Sequence, residues 1–104
     1  MNEAEKLQNI LRDLQATRQQ LISTSSQIRE FEVTLEALKE QEEGKKIYRQ
    51  IGALLFEVDD RKEMVEQLES SIKTLKEHYD LLEKQDIDLK SIYEKMVDEI
   101  ENTN

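Results

Sequence analysis

KKIYRQIGALLFEVDD, residues 45–60, breaks the pattern of everything on either side of it. The flanking sequence places apolar residues three and four apart among Glu, Lys and Gln, the spacing of helices with one buried stripe. Within the stretch that period collapses. Ile47, Tyr48 and Ile51 lead into the densest apolar run of the chain, Ala53-Leu54-Leu55-Phe56, and one of only two glycines, Gly52, sits between them. A turn on Gly52-Ala53 makes this a β-hairpin over about residues 46–58, because Gly at the first central position suits a type II′ turn with its positive φ. Ile51 then faces Leu54, Arg49 faces Phe56 and Ile47 faces Val58. These six share one face, five of them apolar, and Tyr48, Gln50, Leu55 and Glu57 lie on the other. A turn centred nearer Gln50-Ile51 would shift that register.

The arms on either side carry heptads. In the first, over about residues 2–43, Leu7, Leu14, Leu21, Ile28 and Leu35 fall seven apart, and Ile10, Thr17, Thr24, Phe31 and Leu38 fill the complementary row. In the second, about 60–103, Leu68, Leu75, Leu82, Leu89 and Met96 form one row and Val65, Ile72, Tyr79, Asp86, Tyr93 and Ile100 the other. A 3.5-residue repeat held this long predicts a left-handed coiled coil. Thr17 and Thr24 read as small residues tolerated where packing is loose. Asp86 is the one charged residue in the seam, a type of position that costs stability while helping to fix register. Each arm is about 65 Å long at 1.5 Å per residue, and equal arms around a short connector fold back as an antiparallel pair. Gly44, with Lys45 and Lys46 beside it, is placed to end the first helix in a left-handed cap. Asp60-Arg61-Lys62-Glu63 is placed to open the second as a capping box, which also accounts for the Asp59/Asp60 pair without a metal.

Composition agrees with one elongated domain spanning residues 1–104. Of 104 residues 38% are charged and 37% apolar, with no Pro, Cys or Trp; that is the profile of long helices with a narrow seam, not of a thick core. The net charge of −9 repels a phosphate backbone and an anionic lipid surface, so neither nucleic acid nor membrane is an expected partner. No run approaches the roughly 20 apolar residues of a spanning helix. The N-terminus lacks the basic start and apolar run of a signal peptide, which points to the cytoplasm. No catalytic constellation is visible: His78 is the single histidine and flanks the seam, Gly44 and Gly52 form no phosphate loop, and Glu40 to Glu43 is a solvated charge cluster. An enzyme, a metal and a cofactor are therefore not expected.

Energetics make the hairpin an assembly element. Two strands alone are marginal in water, and burying Ile47, Ile51, Leu54, Phe56 and Val58 would contribute about 1.5–3 kcal/mol each. Both arms use their apolar residues on each other, so the cover must come from other subunits, and two open edges invite strand pairing. At the far end, where the termini meet, the apolar residues exceed what a two-helix seam needs. Leu11 joins Leu7, Ile10 and Leu14, while Ile92 and Val97 join Tyr93, Met96 and Ile100. Such an excess marks a binding patch, and a flexible Met suits promiscuous contact.

The pattern as a whole resembles the β-class subunit of prefoldin, and of its members the archaeal ones most. Ile-Tyr-Arg-Gln-Ile-Gly-Ala-Leu-Leu at 47–55 is similar to that family's Val/Ile-Tyr-Lys/Arg-x-x-Gly-x-Leu/Ile-Leu/Ile hairpin, and Leu82-Glu83-Lys84-Gln85 in the second helix also fits. Only one hairpin is present, where α-class subunits carry two. The resemblance implies a mainly α fold, an antiparallel two-helix coil whose hairpin joins an intersubunit β-barrel of two α-class and four β-class subunits. It also implies an ATP-independent holdase that captures unfolded polypeptides at the coil tips and delivers them to a group II chaperonin. The alternative is a homotypic coiled-coil scaffold or tether without holdase activity.

Overall fold

The computed structural model describes residues 2–102. Four elements follow in order: α1, Glu3–Glu40; β1, Tyr48–Ile51; β2, Leu54–Glu57; and α2, Arg61–Asn102. The helices run back to back as an antiparallel pair in a molecule 72 Å long and 25 × 15 Å across. Every seam position expected from the heptads is buried or half-buried, from Leu7 to Leu38 on α1 and from Val65 to Ile100 on α2. Among the described residues Leu82 is the most enclosed, at 2% exposure, so the core is a seam one residue deep.

Ion pairs along the flank of that seam mark how the helices are matched. Lys39 meets Glu69 at 3.1 Å, Lys76 meets Glu32 at 3.5 Å, and Arg18 reaches Asp86 at 3.0 Å. That alignment sets Thr17 about level with Asp86 and Thr24 about level with Tyr79. The two threonines are buried. The Thr17 hydroxyl donates to the Asp13 carbonyl at 2.9 Å, four residues back in its own helix.

The caps differ from the sequence expectation at two of their details. Asn2 opens α1, its side chain accepting from the Glu5 N–H at 2.8 Å. Asp60 opens α2 as expected, its carboxylate accepting from the Glu63 N–H at 3.0 Å. The return half of the capping box is replaced, however, because the Glu63 carboxylate accepts from the Gln67 amide at 3.5 Å. The second difference lies at the end of α1. The helix stops at Glu40, short of residue 43, where Gln41 turns to extended backbone with φ −63° and ψ 132°. Gly44 does adopt the left-handed φ, +84°, but in a separate turn closed by Lys45 N–H to the Glu42 carbonyl at 3.4 Å. Lys45 and Lys46 pair with Glu42 and Glu57 and leave the last carbonyls of α1 to another residue. The expected end of α2 near residue 103 lies outside the described residues.

Candidate assembly hairpin and coil-tip surface

The hairpin forms in the register that the single glycine dictates. Ile51 pairs with Leu54, Gln50 with Leu55, Arg49 with Phe56 and Tyr48 with Glu57. Gly52 has φ +60° and, among the described residues, no residue other than glycine has positive φ, so Ala53 does not and the turn is of the II′ kind rather than I′. The stem is closed by the Val58 N–H donating to the Ile47 carbonyl at 2.8 Å and by Lys46 facing Glu57 at 4.0 Å.

Both faces of these two strands stand in solvent. Tyr48, Ile51, Leu54, Leu55 and Phe56 are all about half exposed or more, while Ile47 and Val58 at the stem are half-buried. The expected apolar face holds Ile51, Leu54 and Phe56, and Tyr48 and Leu55 add a second apolar surface on its back. β1 and β2 pair only with each other, so each offers an unpaired outer edge. Below the strands, the coil does not rise to cover them. An open cleft of about 870 Å³ separates β1 from the helices, with Phe31 and Leu38 of α1, Ile47 and Tyr48 of the hairpin, and Met64 and Leu68 of α2 on its walls.

At the opposite end, Leu14 is buried and Leu7, Ile10, Leu11, Tyr93, Met96, Val97 and Ile100 are half-buried, whereas Ile92 is 45% exposed. The heptad explains the difference among the three extra residues. Counting in sevens from Lys39 passes Glu32, Ser25 and Arg18 to reach Leu11. From Glu69 the same count passes Lys76, Glu83 and Lys90 to reach Val97. Leu11 and Val97 thus stand in the row where, further up, Lys39–Glu69 and Lys76–Glu32 bridge the helices, and they widen the seam on that flank. Ile92 belongs to the other flank, in the row of Met64, Ser71, His78 and Gln85. The expected tip residues therefore gather at one end, but they wrap the tip from two sides rather than forming one flat patch.

Two kinds of residue escaped the sequence reading. Ile22, Val33, Leu81 and Ile87 are exposed on the outer faces of the coil, off both heptad rows, and are spaced singly along it. Arg61 is the other. It is half-buried, and its Nη2 donates to the carbonyls of Leu38, of Lys39 at 3.4 Å and of Gln41 at 2.6 Å. The one signal for it was a basic residue in the first turn of a helix, against the dipole. Among the described residues no three His, Asp or Glu side chains converge as a metal site, and no helix is long and apolar enough to cross a membrane.

An extended two-helix coil that ends in an uncovered hairpin with two free edges has the form of an assembly subunit, and similarity to known proteins narrows that class. A family model described as prefoldin subunit matches residues 1–103, and the chain belongs to that family. It is similar to the prefoldin beta subunits of two archaea. With that of Thermoplasma volcanium it is 28% identical over 96 residues, 92% of this chain and 75% of the relative. With that of Thermoplasma acidophilum it is 30% identical over 97 residues, 86% of this chain and 78% of the relative. The crystal structure of the prefoldin beta subunit from Thermococcus strain KS-1 has the same fold, with a TM-score of 0.84 at 20% identity. The match covers 97% of this chain and 88% of that one.

Proposed function

We propose that this chain is a non-enzymatic, ATP-independent holdase subunit. Its hairpin joins α-class subunits and other copies of itself in a β-barrel platform, in the ratio of two α to four β. Its coil tips capture unfolded polypeptides and pass them to a group II chaperonin in the cytoplasm. The observation that carries this reading is the uncovered hairpin: five large apolar side chains, Tyr48, Ile51, Leu54, Leu55 and Phe56, are exposed together on strands with two free edges. Burying even half of them is worth several kcal/mol at about 1.5–3 kcal/mol per side chain. The assembly residues are then Ile47, Tyr48, Ile51, Gly52, Leu54, Leu55, Phe56 and Val58. The capture surface comprises Leu7, Ile10, Leu11, Leu14, Ile92, Tyr93, Met96, Val97 and Ile100, in one domain over residues 1–104.

A second reading has one observation in its favour. Leu11 and Val97 are half-buried, so part of the apolar excess serves the coil itself, as a scaffold or tether without holdase activity would require. The two separate in one experiment. The chain is mixed with an α-class prefoldin subunit and a chemically denatured model protein, and light scattering is followed without nucleotide. Suppression of aggregation that depends on the mixed complex supports the holdase; a stable homo-oligomer with no suppression supports the scaffold.

A further inference from the structure

Arg61 breaks a local rule and does so at a junction. Helix N-termini favour acidic residues, yet α2 opens with Arg61 and Lys62 and has Glu63 as its only first-turn acid. The charge is placed for a different helix. Its Nη2 donates to the Leu38, Lys39 and Gln41 carbonyls, which belong to the end of α1 where carbonyls lack partners within the helix and the dipole is negative. A residue in the first turn of α2 thus closes α1. Between these two points the connector loops out, and its hairpin is a closed unit of its own, shut at the stem by the Ile47–Val58 hydrogen bond. That unit hangs on residues 41–46 on one side and only 59–60 on the other.

We propose that Arg61 is the positioning residue that fixes the hairpin's direction relative to the coil. With the guanidinium in place, the starts of both tethers are pinned together and the hairpin base cannot turn without breaking the clamp. Without it, the extended Gln41 backbone loses its partner and the hairpin swings on residues 59–60. The consequence is magnified by length. At about 1.5 Å per residue, the 42 residues of α2 make a lever of about 60 Å, so a swing of about 20° moves the tip by about 20 Å. Where the hairpin is anchored in a platform, as the proposed function has it, Arg61 sets the spacing of the tips and hence the size of chain they grip together.

The test uses the full chain, which has no cysteine of its own. Ala53→Cys at the turn and Lys73→Cys on the exposed side of α2 carry spin labels, and pulsed electron paramagnetic resonance reads the distance between them. With Arg61 present the distribution is narrow. Arg61→Met broadens it at least twofold with unchanged helix content. Arg61→Lys falls between, because an ammonium keeps donors for these carbonyls but lacks the rigid planar group that aims Nη2 at them. Equal widths in the parent and the Arg61→Met chain, a broad distribution already with Arg61, or loss of helix beyond the last turn of α1 each overturn the proposal. A label at Gln8→Cys in the complex with an α-class subunit then reads tip-to-tip spacing. If Arg61→Met broadens the first distance and not the second, the joint stands and the platform reading fails.

Discussion

Asp86 occupies a row of apolar residues and still finds a partner, since Arg18 donates to its carboxylate at 3.0 Å. The carboxylate side chain is 21% exposed and the arginine 53%, so the pair is partly solvated and contributes about 0–1 kcal/mol. A leucine in the same row would gain the lower part of the about 1.5–3 kcal/mol of a buried aliphatic side chain. Asp86→Leu should therefore stabilise the chain by about 1 kcal/mol and raise Tm by roughly 4–8 °C, read by circular dichroism. The helix register should not move, because the connector and the Arg61 clamp fix it from the other end. Thr24 should respond in the opposite sense. It is buried at 6% exposure, and Thr24→Leu adds volume at an enclosed seam position, costing about 1–3 kcal/mol. A Thr24→Leu chain that melts higher than the parent would show that the layer has room to spare. These two changes make the same seam more apolar and pull Tm in opposite directions, which separates polarity from volume as the limit on its stability.

At the scale of the elements, what was legible in the sequence is what neighbouring residues decide. The heptads place both helices and every seam residue, since a coiled coil repeats one local rule. Gly52 places the hairpin register, since a II′ turn needs φ near +60° at one defined position. The stop of α1 was not legible. Gly44 looks like a cap and takes the φ of one, but the last carbonyls of α1 are held by Arg61 from twenty or more residues away. A long-range hydrogen bond leaves no period in the sequence. The hairpin glycine has a test of its own. A Cβ on Gly52 would meet nothing within 4 Å, so Gly52→Ala acts through backbone strain alone, about 1–2 kcal/mol for a left-handed residue. Because the hairpin and the coil pack separately, that cost should fall on the hairpin. The expected result is weaker association with partner subunits in sedimentation, with the coil Tm of the unassembled chain unchanged; an equal drop in coil Tm would mean that the two elements fold as one.

Across the whole molecule, the hairpin and the tips lie at opposite ends of a 72 Å rod, so assembly and capture can be altered independently. The tip residues were legible as a surplus over the seam, but their division was not, because it depends on which flank each residue takes once the helices are matched. Leu11 and Val97 widen the seam and are half-buried, whereas Ile92 is 45% exposed on the other flank. That geometry predicts two different phenotypes. Val97→Ser removes apolar area that the coil uses and should lower Tm along with any loss of capture. Ile92→Ser alters a side chain the coil barely covers, so stability should stay within about 0.5 kcal/mol. If the tips grip unfolded chains through exposed apolar surface, Ile92→Ser should still raise the light scattering of an aggregating client in the mixed complex. The decisive comparison is capture per folded complex at a temperature well below both Tm values. A defect with Ile92→Ser there assigns the grip to surface the coil leaves open. A defect confined to Val97→Ser, vanishing as the coil is stabilised by Asp86→Leu, would assign it to the coil's integrity and leave Ile92 without a role in capture.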